Sequence, residues 1–179
     1  MFIKAYLSAI LSFYIHLNKC LIKGSKINII NNCNNTLPIY SYENNKFNNI
    51  CNLETFQSCL IEYEKIESGL IKTTLSEEAT LFEFTINNKG IWYDISVIPP
   101  GSHDCHSYKE CLSNANKIGF NIALDVHTSN NKCENLTCLN KECSDAYLYP
   151  SDDIKTKFCN LNTDFELIYC PNNILICNE

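Results

Sequence analysis

Twelve cysteines are spread along this chain from Cys20 to Cys177, and no two of them form a C-x-x-C pair. In a chain of 179 residues that number and spacing point to a disulfide framework rather than to zinc knuckles. Disulfides require an oxidising compartment, and the N-terminus reads the same way. Met1 to Lys4 is a short positive start and Ala5 to Leu17 a mostly apolar run. The run is shorter than the about 20 residues that span a bilayer, so residues 1–24 read as a secretory signal. Cleavage after Cys20 and after Gly24 fit equally, and an uncleaved anchor is the alternative. The mature chain is expected to be extracellular, monomeric and not membrane-spanning.

The length suits one domain, because a chain of about 150 residues buries roughly two thirds of its unfolded surface. Fourteen lysines against 20 acids, with no arginine, give a net charge of −6. A nucleic-acid partner would need a concentrated basic face, and this composition argues against one. Nothing in the sequence calls for a cofactor.

Short stretches of alternating or β-branched and aromatic residues recur: 26–31, 37–42, 59–66, 79–86, 92–98, 119–128 and 163–170. Clusters such as "NNCNN", "ENNKFNN", "NNKG", "PPGS" and "SNNK" separate them as turns. Only "SYKECLSNANK", 107–117, looks helical or turn-like. The pattern is that of an all-β antiparallel sandwich.

Four stretches in order resemble the thaumatin-like family. "INIINNC", ending at Cys33, is similar to its first strand, and "LFEFTINN…WYDIS", 81–96, to its central strand pair. "GFNIALDV", 119–126, is similar to "GFNVPMD". "CSDAYLYPSDD…KFC…TDFELIYCP", 143–171, is similar to the family's C-terminal run. The resemblance implies a thaumatin-like sandwich over residues 25–179, stapled by disulfides. Only "LNKE" separates Cys138 from Cys143, where large members carry a disulfide-rich second domain, so a small single-domain version is implied. The Gly- and Cys-rich signature that usually precedes the central strands is replaced by "CLIEYEKIESGLIKTTLSEEA", and an insertion occupies about 99–118.

The same resemblance implies the pairings Cys33–Cys170, Cys133–Cys159 and Cys138–Cys143. Proximity along the chain adds Cys51–Cys59 and Cys105–Cys111. Cys20 and Cys177 are left to pair with each other, or to leave Cys177 as an odd thiol if the signal is cut after Cys20.

Many members of the family carry an acidic cleft tied to binding or slow hydrolysis of β-1,3-glucan. Its acids correspond here to Glu83, Asp94 and Asp145, whereas the aspartate before "GFN" and the arginine have no counterpart. A lysine could take the arginine's place. The implied function is a non-catalytic protein that binds a polysaccharide or a cell-surface partner through this groove. A weak endo-β-1,3-glucanase and an extracellular coat or effector protein that binds a protein partner are the alternatives. Asp94 could equally accept backbone hydrogen bonds at a strand exit. Trp92, Tyr93, Tyr147 and Tyr149 either stack on sugar faces or pack in the core. In "HDCHSYKEC", His103, Cys105, His106 and Cys111 could imitate a zinc site, but oxidation of the two cysteines to each other argues against it, and no metal is expected. Asn34 and Asn135 open N-glycosylation sequons.

Overall fold

The computed structural model describes residues 25–43, 45–63 and 67–172. The expected signal segment and the Cys20–Cys177 pair lie outside the described residues. Two sheets face each other. The first has five strands: β1 (Ser25–Asn31) lies between β4 (Ser58–Tyr63) and β12 (Phe165–Tyr169), followed by β8 (Leu124–Thr128) and β9 (Leu136–Cys138). The second runs β10 (Ala146–Tyr147), β7 (Gly90–Ser96), β6 (Leu81–Asn87), β5 (Glu67–Lys72), β2 (Leu37–Glu43) and β3 (Lys46–Leu53). A further strand, β11 (Lys157–Cys159), pairs with β7.

The sandwich is thus all-β, but it is not purely antiparallel. β1 runs parallel to β12, with Ile29 opposite Leu167, and β10 runs parallel to β7. The first of these pairings brings the first and last strands of the sandwich side by side. Cys33 and Cys170, just past their strands, are disulfide-bonded there. Closing so long a loop removes chain entropy from the unfolded state worth about 4 to 5 kcal/mol. The other disulfides among the described residues are Cys51–Cys59, Cys105–Cys111, Cys133–Cys159 and Cys138–Cys143.

Alternation fixes which side chains meet between the sheets. On β6, Phe82, Phe84 and Ile86 are buried while Leu81, Glu83 and Thr85 point the other way. On β12, Phe165, Leu167 and Tyr169 face inward. Phe165 packs between the sheets, 4.9 Å from the Tyr93 ring and 5.8 Å from Phe82. Each such buried side chain contributes about 1.5 to 3 kcal/mol of hydrophobic stabilisation.

Five strands lie outside the stretches expected from the sequence: β3, β5, β9, β10 and β11. The "KFNN" half of the turn-like "ENNKFNN" opens β3, an edge strand of which only Leu53 is buried. "ESGLIK" forms β5 in the middle of the second sheet. There Gly69 leaves room for the Phe84 ring, which would lie 2.8 Å from a Cβ at that position. The expected strand 119–128 is regular only from Leu124. Its first half is held by side chains instead: Asn121 Oδ1 accepts from Thr80 N at 2.7 Å, and the Thr80 hydroxyl donates to Ile122 O at 2.7 Å.

The insertion at 99–118 forms α1 (Tyr108–Ala115), capped by Ser107, whose hydroxyl oxygen accepts from Glu110 N. Asn116 ends it in the left-handed conformation. Lys117 pairs with Glu77 at 2.9 Å, and Glu78 accepts from Ile118 N. The segment rejoins the sandwich at Gly119, where a Cβ would lie 2.2 Å from Val97 O and 2.4 Å from Ile98 O. Only glycine fits this close backbone approach.

Candidate functional site

The outward face of the second sheet carries an open cleft of about 720 Å³. Its floor is built from two in-register pairs on β6 and β7: Glu83 opposite Asp94, and Thr85 opposite Trp92. One wall comes from β5 and β2, where Leu70 lies beside Glu83 and Tyr42 beside Leu70. The chain between β10 and β11 supplies the other wall with Tyr147, Pro150, Asp153 and Thr156. It can do so because both strands pair with β7, holding the intervening 3-10 turn, Asp153–Lys155, at the rim.

Two of the aromatic rings pack against their cross-strand neighbours. Trp92 meets Phe158 edge-on at 4.9 Å, and Tyr42 packs on Phe47 at 4.9 Å. The Tyr147 hydroxyl is hydrogen-bonded to Thr156 and to Asp153. Ser68 and Thr85 join their hydroxyls across the strand pair at 2.9 Å.

Two carboxylates directly opposite on one sheet face lie with Cβ atoms about 4.5 to 5.5 Å apart, and they repel when both are ionised. Burial, and then the charge of Glu83, pushes the Asp94 carboxyl up to about 7. Burial also raises Glu83, against a hydrogen bond from Ser96 that favours its charged form. Both shifts favour the protonated forms, and the charge of Glu83 opposes ionisation of Asp94. Asp94 Oδ1 is shut off from solvent and has no hydrogen-bond partner among the described residues. That oxygen caps no backbone N–H group among the described residues.

Asp145 is not a member of this set. Its carboxylate accepts Thr137 N of β9 at 3.0 Å and the Ser144 hydroxyl at 3.3 Å, and it does not line the cleft. Asp153 stands in the cleft instead. Among the expected aromatics, Trp92 and Tyr147 line the cleft. Tyr93 does not: its ring is fully buried, and its hydroxyl donates to Glu134 O. Alternation places it on the opposite face from Trp92. Tyr149 lies outside the lining and hydrogen-bonds to Asp152.

No lysine lines the cleft among the described residues. Lys72, two residues beyond Leu70 on the same face, directs its ammonium to Ser76 O at 2.9 Å and over the Phe47 ring. Asn34 and Asn135 are both exposed. His103 and His106 flank the Cys105–Cys111 disulfide on an exposed loop. Among the described residues no group of three His, Cys, Asp or Glu side chains could hold a metal ion, and no helix is long and apolar enough to cross a membrane.

No protein-family model matches the chain. A thaumatin-like protein of Oryza sativa subsp. japonica is 32% identical over 106 residues, covering 58% of this chain and 48% of the rice protein. Thaumatin-like pathogenesis-related protein 4 of Avena sativa is 34% identical over 105 residues, covering 58% and 49%. The chain thus spans about half the length of the curated relatives it matches. Among solved structures, the thaumatin-like xylanase inhibitor TLXI superposes with a TM-score of 0.58 at 13% identity, over 81% of this chain and 99% of the inhibitor. The protein elicitor MoHrip2 of Magnaporthe oryzae gives 0.53 at 14% identity, over 82% and 98%.

Proposed function

We propose that this chain, a small single-domain thaumatin-like protein in sequence and fold, is secreted and binds a polysaccharide in the cleft over β6 and β7 without cleaving it. The observation that carries this reading is the pairing of clamped aromatic faces, Trp92, Tyr42 and Tyr147, with the acceptors Glu83, Asp94 and Asp153 in one open groove. Sugars present apolar C–H faces for the rings and hydroxyl donors for the carboxylates. A cleft of about 720 Å³ also lies within the about 300 to 1,000 Å³ common for ligand sites. Five disulfides suit an extracellular setting, in which Asn34 and Asn135 would carry glycans.

Hydrolysis is disfavoured by the same geometry. Glycosidases place an acid and a nucleophile or base so that they flank the scissile bond. Glu83 and Asp94 instead sit side by side on the floor of one sheet, and one oxygen of Asp94 is enclosed. The test is retention of the oxidised, folded protein on insoluble β-1,3-glucan, chitin and chitosan, together with an assay for reducing ends from laminarin. Retention without release of reducing ends is expected. No retention on any matrix would remove the binding reading, and release abolished by Glu83→Gln would replace it with catalysis.

A further inference from the structure

We propose that the ligand class is an amine-bearing saccharide: the cleft is built for a de-N-acetylated amino-sugar chain whose ammonium sits over Glu83 and Asp94 between the Trp92, Tyr42 and Tyr147 rings. This rests on the saccharide reading above and narrows it.

Three carboxylates, Glu83, Asp94 and Asp153, face the cleft, and no cation of the described lining answers them. The ion pairs among the described residues lie elsewhere: Lys26 with Glu62, Lys117 with Glu77 and Lys157 with Glu134. Ser96 serves Glu83 and the Tyr147 hydroxyl donates to Asp153, but no cationic side chain of the described lining balances the charge of these acids. A neutral sugar that covered the floor would desolvate this acid pair and answer it with hydroxyl donors but no counter-charge. An ammonium compensates the charge and supplies three donors. The surrounding aromatic faces attract a cation as well as a sugar ring. With the amine bound, Asp94 ionises more readily, so binding expels its proton.

Calorimetric titration at pH 6 tests this with glucosamine hexamer, N-acetylglucosamine hexamer, laminarihexaose and hexalysine. Glucosamine hexamer should bind at least about ten-fold more tightly than either neutral hexamer. Its heat should change with the ionisation enthalpy of the buffer, reporting the released proton. Glu83→Gln and Asp94→Asn should each reduce the ten-fold preference, and Asp94→Asn should also abolish the buffer dependence. Equal binding of the charged and neutral sugars would overturn the amine assignment and leave the saccharide reading standing. Hexalysine binding as tightly as the amino sugar would show simple polycation attraction to an acidic protein and would also overturn it. If no sugar binds, the underlying saccharide reading fails as well.

Discussion

Glu83 and Asp94 stand directly opposite each other across the β6–β7 pair, on the sheet face turned away from the core. A carboxyl whose folded pKa is raised holds a proton that the unfolded chain has already lost, so the native state loses stability as pH rises between the two values. For Asp94 that window runs from about 4 to about 7. The raised Glu83 acts in the same direction. Chemical denaturation at a series of pH values should therefore show stability falling across this window. Asp94→Asn should flatten the slope and stabilise the protein at pH 8 by about 2 kcal/mol, since each tenfold change in proton affinity corresponds to about 1.4 kcal/mol. A variant with the slope of the parent would contradict the assignment.

Neighbouring residues on β7 should behave oppositely. Trp92→Ala removes an aromatic face of the cleft and should weaken saccharide binding by about ten-fold or more while the fold persists. Tyr93→Phe removes the hydrogen bond to Glu134 O and should cost about 1 kcal/mol of stability with binding unchanged. Thermal melts beside binding isotherms separate the two.

The disulfides differ in the length of chain they close. Replacing both Cys33 and Cys170 by serine should lower stability by about 5 kcal/mol, against about 2 to 3 kcal/mol for Cys51 and Cys59, as the loop-entropy relation predicts. Urea midpoints of the two double variants check the order.

Gly119→Ala places a methyl group against the carbonyl oxygens of Val97 and Ile98. The backbone must move, and Ile98 belongs to the cleft lining. Expected are a loss of more than about 3 kcal/mol in stability and weakened binding, whereas Gly101→Ala, at an open position, should cost about 1 kcal/mol for its positive φ alone. Urea denaturation of both variants, beside their binding isotherms, reads the difference.

Alternation made β1, β2, β4, β6, β7 and β12 legible, because each has one face in the core and one outside. It hid β3, whose Phe47 and Ile50 face outward among asparagines, and gave no hint that β1 and β12 run parallel, a long-range pairing. Glu83 and Asp94 could be placed together because a short hairpin joins their strands. For Asp145 the motif position does not say where the carboxylate points, and it points to the β9 backbone. Asp153 belongs to an excursion between β10 and β11, whose return to β7 no local pattern announces.

The central claim is tested most directly by retention on insoluble polysaccharide of the parent protein, Trp92→Ala and Asp145→Ala, all folded and oxidised. The parent and Asp145→Ala should be retained and Trp92→Ala should pass through. Retention of Trp92→Ala equal to that of the parent would contradict the cleft as the binding site.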